Sequence, residues 1–357
     1  MWYNTPVTKL LGIGYPILQG PFGGNLSTVR LASTVSNMGG LGGHGAYTLT
    51  PAEIAKLCSE LGKATDRPYN INLWVSNNDV PAEGLADARF EEAKNFFRPF
   101  FEEMGVPLPE KPAPQVVSFE DQAQAILDAR PPVFSFVFGI PSADILEQCR
   151  KRNIITAGAA TTIDEALALE AAGVDLIVAS GFEAGGHRPS FLASPGTSLV
   201  GTFVLVQQIK SRVHTPVIAA GGIATGRGIA AAMTLGADGV QIGTAFLACD
   251  ESGAPPLHRE ILFSDAARQS TLTRAFSGRM GRGVTNRITI QTAGREHSLL
   301  PFPLQSRFMG ALRQAAMQQK TPDLFFAWGG QIATELHHRK ATGLMQALID
   351  DTNALLP

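Results

Sequence analysis

The chain has 357 residues, of which 45% are hydrophobic and 17% charged, with a formal net charge of -2. That is ample core material for one large barrel with insertions, or for two modest domains. The near-neutral charge and the lack of any Lys/Arg-rich run exclude a nucleic-acid binder working through bulk electrostatics. No window approaches eighteen uninterrupted apolar residues, so no membrane span is expected.

The apolar stretch at 10–18 is broken by Gly12, Gly14 and Pro16, which speaks against a signal peptide. Cys58, Cys149 and Cys249 lie far apart. They form no metal-ligand spacing and no disulfide framework, and read as buried reduced thiols of a cytoplasmic protein that holds no metal.

Short apolar runs at 15–20, 40–45, 69–75, 133–139, 154–159, 175–181, 216–222 and 239–247 read as strands. Most are continuous rather than alternating, as expected of strands buried on both faces. Helical segments lie between them. Thr50-Pro51-Ala52-Glu53, Ser118-Phe119-Glu120-Asp121 and Thr162-Ile163-Asp164-Glu165 each place a capping hydroxyl before first-turn acids. Eight strands alternating with helices predict an α/β fold, a (β/α)8 TIM barrel with rim insertions; a doubly wound open sheet is the alternative. An internal echo supports the barrel. Gly173-Val174-Asp175 and Gly236-Ala237-Asp238 each read as a helix end and a turn Asp before an inner strand.

The barrel core is assigned to 1–76 and 116–249. Residues 77–115 form an inserted segment with an aromatic helix face (Phe90, Phe96, Phe97, Phe100, Phe101) and a stiff exit at Pro107, Pro109, Pro112 and Pro114. Residues 250–357 hold a second insertion and C-terminal helices that complete the substrate side, with Ala311, Leu312, Ala315 and Ala316 at helical spacing. Arg274, Arg279, Arg282, Arg287 and Arg295 read as solvated loops or as the face of a homodimer, one of them within reach of a phosphate. His337-His338 read as a solvated face of the last helix.

The strongest chemical signal follows the sixth strand: Ser180-Gly181-Phe182-Glu183-Ala184-Gly185-Gly186-His187-Arg188. Strand C-termini are where barrels carry catalytic groups. Gly185-Gly186 lets the backbone pass close to a flat ligand, and the His187 imidazole can donate a hydrogen bond or take a proton. The alternative is a loop histidine capping nearby carbonyls. Ala220-Gly221-Gly222-Ile223 and Gln241-Ile242-Gly243-Thr244 are the loops after strands seven and eight, where barrels bind phosphate on backbone N–H groups. Gln19-Gly20-Pro21-Phe22 ends the first strand. Asn72 offers an amide to a heterocycle edge, or else satisfies local backbone.

Together with Phe276-Ser277-Gly278-Arg279, these motifs resemble the nitronate monooxygenases, formerly called 2-nitropropane dioxygenases, over nearly the whole chain. The resemblance implies an FMN-dependent oxidation of alkyl nitronates by O2 to a carbonyl compound and nitrite. It places the FMN phosphate around Gly221 and Gly222 and on Gln241, Ile242, Gly243 and Thr244. Gly20, Pro21, Phe22, Asn72, Ser180, Gly185 and Gly186 would meet the rest of the cofactor. His187 matches the catalytic histidine, either holding the nitronate oxygens or deprotonating a neutral nitroalkane. Ser180 stands where many relatives have Gln, and Phe302 where Tyr is expected, which makes the substrate pocket more apolar. An FMN-dependent enoyl-thioester reductase using NAD(P)H is the alternative enzyme. A barrel that only binds its ligand is the non-catalytic one.

Overall fold

The computed structural model describes residues 1–75, 85–111 and 117–356. Its strands are β1 (Ile17–Gln19), β2 (Gly42–Gly45), β3 (Tyr69–Trp74), β4 (Val133–Val137), β5 (Ile155–Ala160), β6 (Leu176–Ser180), β7 (Gly186–His187), β8 (Val217–Ala220), β9 (Gly239–Ile242), β10 (Ser270–Thr273) and β11 (Gly281–Val284). Eight of them pair in parallel in the order β1-β9-β8-β6-β5-β4-β3-β2. A parallel bridge between Leu18 and Leu41 joins β1 to β2 and closes the ring. This is the (β/α)8 barrel, with its helices outside. Every expected barrel strand is present. The eighth is shorter than expected: after Ile242 the chain turns at Gly243 (φ -100°, ψ -81°) and residues Thr244–Leu247 are a helical turn.

The continuous apolar runs have the predicted cause. Ile17, Ile71, Phe134, Ile177, Val217 and Val240 face the outer helices, while Leu18, Val133, Ala157, Leu176, Val178 and Ile218 fill the barrel. Val7 and Leu11 of the helix Pro6–Leu11 join that inner cluster and plug one mouth. The helix caps also hold. Thr50 Oγ1 accepts from Glu53 N while Glu53 Oε2 accepts from Thr50 N, a reciprocal capping box. Ser118 and Thr162 cap the helices Phe119–Ala129 and Ile163–Ala171. The internal echo is structural as well: Asp175 accepts the amide of Thr156 at 2.8 Å, and Asp238 accepts that of Val217 at 2.8 Å. Each carboxylate ties its own turn to the start of the preceding barrel strand.

Between β3 and β4 the helix Asp87–Glu103 buries Phe90, Phe97, Phe100 and Phe101. Three of these rings lie 5.3–5.8 Å from Phe308. Pro112 and Pro114 lie outside the described residues. The tail contains the helices Leu304–Phe308, Gly310–Gln318 and Ala341–Leu355. His337 and His338 sit in the irregular stretch before the last helix, not on it, because that helix starts only at Ala341. No helix among the described residues is long and apolar enough to cross a membrane.

Candidate active site

A cavity of about 550 Å³ opens where the C-terminal ends of the barrel strands meet. Its floor is made of inward-facing strand residues: Asn72, Ala159, Val178, Ser180, Ala220 and Gln241. Their small side chains leave room for a flat ligand of the size that such pockets hold. Asn72 Nδ2 donates to Ser135 Oγ at 2.9 Å, which fixes the amide plane from below. Gly20, Pro21, Phe22, Gly185, Gly186, Gly221, Gly222, Gly243 and Thr244 line the same space. Ile242 does not. Strand alternation sends its side chain outward into the helix-facing core, where it is fully buried. Its carbonyl accepts from Gly20 N instead, tying two rim loops together.

His187 lies in the cavity wall, and its backbone belongs to a strand rather than a free loop. β7 pairs antiparallel with β11, and β11 with β10, so a small three-stranded sheet carries the imidazole. Two buried arginines fasten the approach to it. Arg188, 1% exposed, donates to the carbonyls of Ser180, Gly181 and Ser198 at 2.5–3.1 Å. Arg282, 2% exposed, donates to Phe182 O at 3.1 Å and to Ser270. Glu183 also lines the cavity, but its carboxylate accepts from Thr202 N and Oγ1 at 2.9–3.0 Å. It thereby caps the helix Thr202–Lys210, whose own N-cap residue, Gly201, has no side chain to do so.

A strap at residues 329–331 closes one side. Gly330 N donates to Thr244 Oγ1 at 2.9 Å, and Gln331 N to Glu183 O at 3.0 Å. Gly185 lies directly beneath it; a Cβ there would sit 2.5 Å from Gly330 N.

Above the floor the wall is aromatic. The His187 ring centre is 4.7 Å from Trp328, 5.1 Å from Trp74 and 6.3 Å from Phe302. Tyr47 stacks on Trp74 at 3.7 Å. The Arg279 guanidinium lies 3.9 Å from the centre of Phe138 and 4.5 Å from that of Phe302. Burial first, and the Arg279 charge second, push the His187 pKa down to about 3. The imidazole is therefore neutral at physiological pH and a poor base there.

The arginine series corrects the expectation of solvated loops in part. Arg282 is buried, Arg279 stacks on the aromatic wall and Arg287 pairs with Glu103 at 2.6 Å, whereas Arg295 is exposed, as expected, with its guanidinium over Phe96. Guanidinium planes bury well against rings, so a basic run in a loop is no sign of solvation. The sequence reading attached no role to Tyr47, Trp74, Phe138, Trp328 or Arg313, all of which meet at the cavity or its rim. They come from five separate segments, and no local spacing links them.

A barrel with a lined cavity at the strand C-termini and a histidine beside it is an enzyme of the (β/α)8 class. The nitronate monooxygenase family model matches residues 4–351. A probable nitronate monooxygenase of Staphylococcus haemolyticus is 36% identical over 361 residues, covering 100% of this chain and 99% of that protein. One of Staphylococcus saprophyticus is 34% identical with the same coverage. Among solved structures, a nitroalkane oxidase from Streptomyces ansochromogenes superposes with a TM-score of 0.89 at 30% identity, over 98% of both chains. FabK from Thermotoga maritima gives a TM-score of 0.76 at 27% identity, over 99% of this chain and 97% of that one. The chain belongs to the nitronate monooxygenase family.

Proposed function

We propose that this protein uses FMN to oxidise alkyl nitronates with O2 to a carbonyl compound and nitrite. The observation that carries the reading is the cavity itself: a floor of small strand-end residues, loops of glycine at its rim, and a neutral histidine in its wall. The residues fit the cofactor. Asn72, Ser180 and Gln241 offer amide and hydroxyl groups to a ring edge. Gly222, Gly243 and Thr244 present backbone to a phosphate. Glu183 is the sole acid among the described lining residues, and Thr202 holds its carboxylate, so little opposes an anion. When bound, FMN would supply the electron-accepting ring. The protein's part is placement. His187 would donate one hydrogen bond to a nitronate oxygen, and the rings of Trp74, Phe302 and Trp328 would exclude water around it. A histidine pushed to about 3 suits that role better than removal of a proton from a neutral nitroalkane.

The purified protein is expected to be yellow and to release FMN, not FAD, on denaturation, as read by mass and absorbance. Glycine loops after the last two barrel strands motivate this, with no adenosine-binding Gly-x-Gly-x-x-Gly after an N-terminal strand. A protein that stays colourless after incubation with FMN would contradict it.

A further inference from the structure

We infer that Ser277 is a positioning residue that holds His187 as the tautomer protonated on Nδ1, making it a fixed hydrogen-bond donor to an anionic substrate oxygen. The inference deepens the reading above and rests on it for the identity of the anion. Its structural basis is independent. His187 Nε2 lies 2.6 Å from Ser277 Oγ, a short contact for a neutral pair. Ser277 is 4% exposed, so water does not compete at that nitrogen.

The hydroxyl has one proton and two acceptors in reach: His187 Nε2 at 2.6 Å and Arg279 O at 3.2 Å. The shorter contact is the stronger. Arg279 N donates into one lone pair of the same oxygen at 3.3 Å, and the hydroxyl proton goes to the nearer acceptor, the imidazole. Gly278 makes this turn possible. Its φ is +88°, and a Cβ there would fall 2.4 Å from Phe302 N, so only glycine folds the 277–279 backbone around the serine oxygen.

A neutral imidazole has one N–H. With Nε2 accepting from Ser277, that N–H sits on Nδ1, the ring nitrogen that Ser277 does not engage, on a residue that lines the cavity. Positive charge on the ring is opposed by burial and by Arg279, so donation by a second proton is not an alternative. The pair works in the inverse sense to a carboxylate–histidine pair: a hydroxyl donor behind the ring fixes a donor in front of it.

The test uses the purified holoenzyme labelled with 15N-histidine, the His187 signals being assigned by their loss in His187→Asn. Long-range 1H–15N spectra at pH 7 are expected to show Nδ1 protonated and Nε2 unprotonated in the wild type. In Ser277→Ala the two tautomers should mix or invert. KM for an alkyl nitronate should rise roughly tenfold with a smaller change in kcat, and Ser277→Thr should restore both. An Nε2-protonated ring in the wild type, or an unchanged tautomer in Ser277→Ala, would overturn the inference. The expected tautomers in a protein that turns over no nitronate would uphold the geometry and sink the proposed substrate instead.

Discussion

Replacing His187 by leucine is expected to lower kcat/KM for an alkyl nitronate by about 10- to 100-fold, while asparagine loses less than tenfold. A hydrogen bond to a charged group is worth ~1.5–3 kcal/mol, and each ~1.4 kcal/mol is a factor of ten. Leucine removes the donor; asparagine keeps an N–H of similar reach. Both variants should fold and keep their cofactor, because the backbone of β7 is held by its pairing with β11 and by Arg188 rather than by the imidazole. Cofactor absorbance and steady-state rates check this. The pH profile separates donor from cation. A histidine titrating at its ordinary value of 6.5 would gain positive charge as pH falls, and would bind an anion better below that value. With the pKa pushed down to about 3, the ring stays neutral from pH 8 to pH 5 and that gain is missing. The rate with preformed nitronate should therefore show no rise from His187 across that range. Equal rates for wild type, asparagine and leucine variants would remove His187 from the mechanism.

Gly185→Ala is expected to destabilise the protein by about 1–3 kcal/mol and to empty much of the cofactor site, the usual range for forced overpacking. The added carbon would meet Gly330 N at 2.5 Å and Gly329 C at 2.6 Å. Both are backbone atoms, so no side-chain rotation relieves the clash. The strap must move, and with it the Gly330 bond to Thr244 and the Gln331 bond to Glu183. Gly62 provides the control. It lies within the helix Pro51–Ala64, and a Cβ there meets nothing within 4 Å. Gly62→Ala should be neutral or stabilise by about 0.5–1 kcal/mol through helix propensity. Thermal melts and the cofactor-to-protein absorbance ratio of the two variants check both halves. A Gly185→Ala protein with wild-type melting and full cofactor would show that the strap is not held against that loop.

The barrel was legible because its determinants are local. Strands buried on both faces leave continuous apolar runs, and capping hydroxyls mark where helices begin. Even the paired Asp175 and Asp238, visible as an echo, turned out to share one role. The overrun of the last strand had a clear cause: 239–247 is largely apolar, broken only by Gln241 and Thr244, and periodicity alone does not separate a buried strand from the helical turn after Gly243. The floor of the site was legible for the same reason as the strands, since it is their ends. Within the 241–244 block, alternation points Gln241 and Gly243 inward and the Ile242 side chain out, so any contact from Ile242 to a ligand would come from its backbone. The aromatic wall was not legible. Only Phe302 was picked out beforehand; Tyr47, Trp74, Phe138 and Trp328 join it only through the closure of the barrel and the return of the tail across it. The two-residue β7 escaped notice because its partner, β11, lies almost a hundred residues away.

The central claim is that a nitronate, and not a nicotinamide, is the reductant of this site. The most direct measurement is anaerobic mixing of the FMN-loaded protein with an alkyl nitronate and, separately, with NADH or NADPH, while following absorbance of the bound cofactor. The account predicts rapid bleaching by the nitronate, slow or no bleaching by either nicotinamide, and return of the oxidised spectrum when O2 is admitted. Rapid bleaching by NADPH with no response to the nitronate would contradict it and favour an enoyl-thioester reductase.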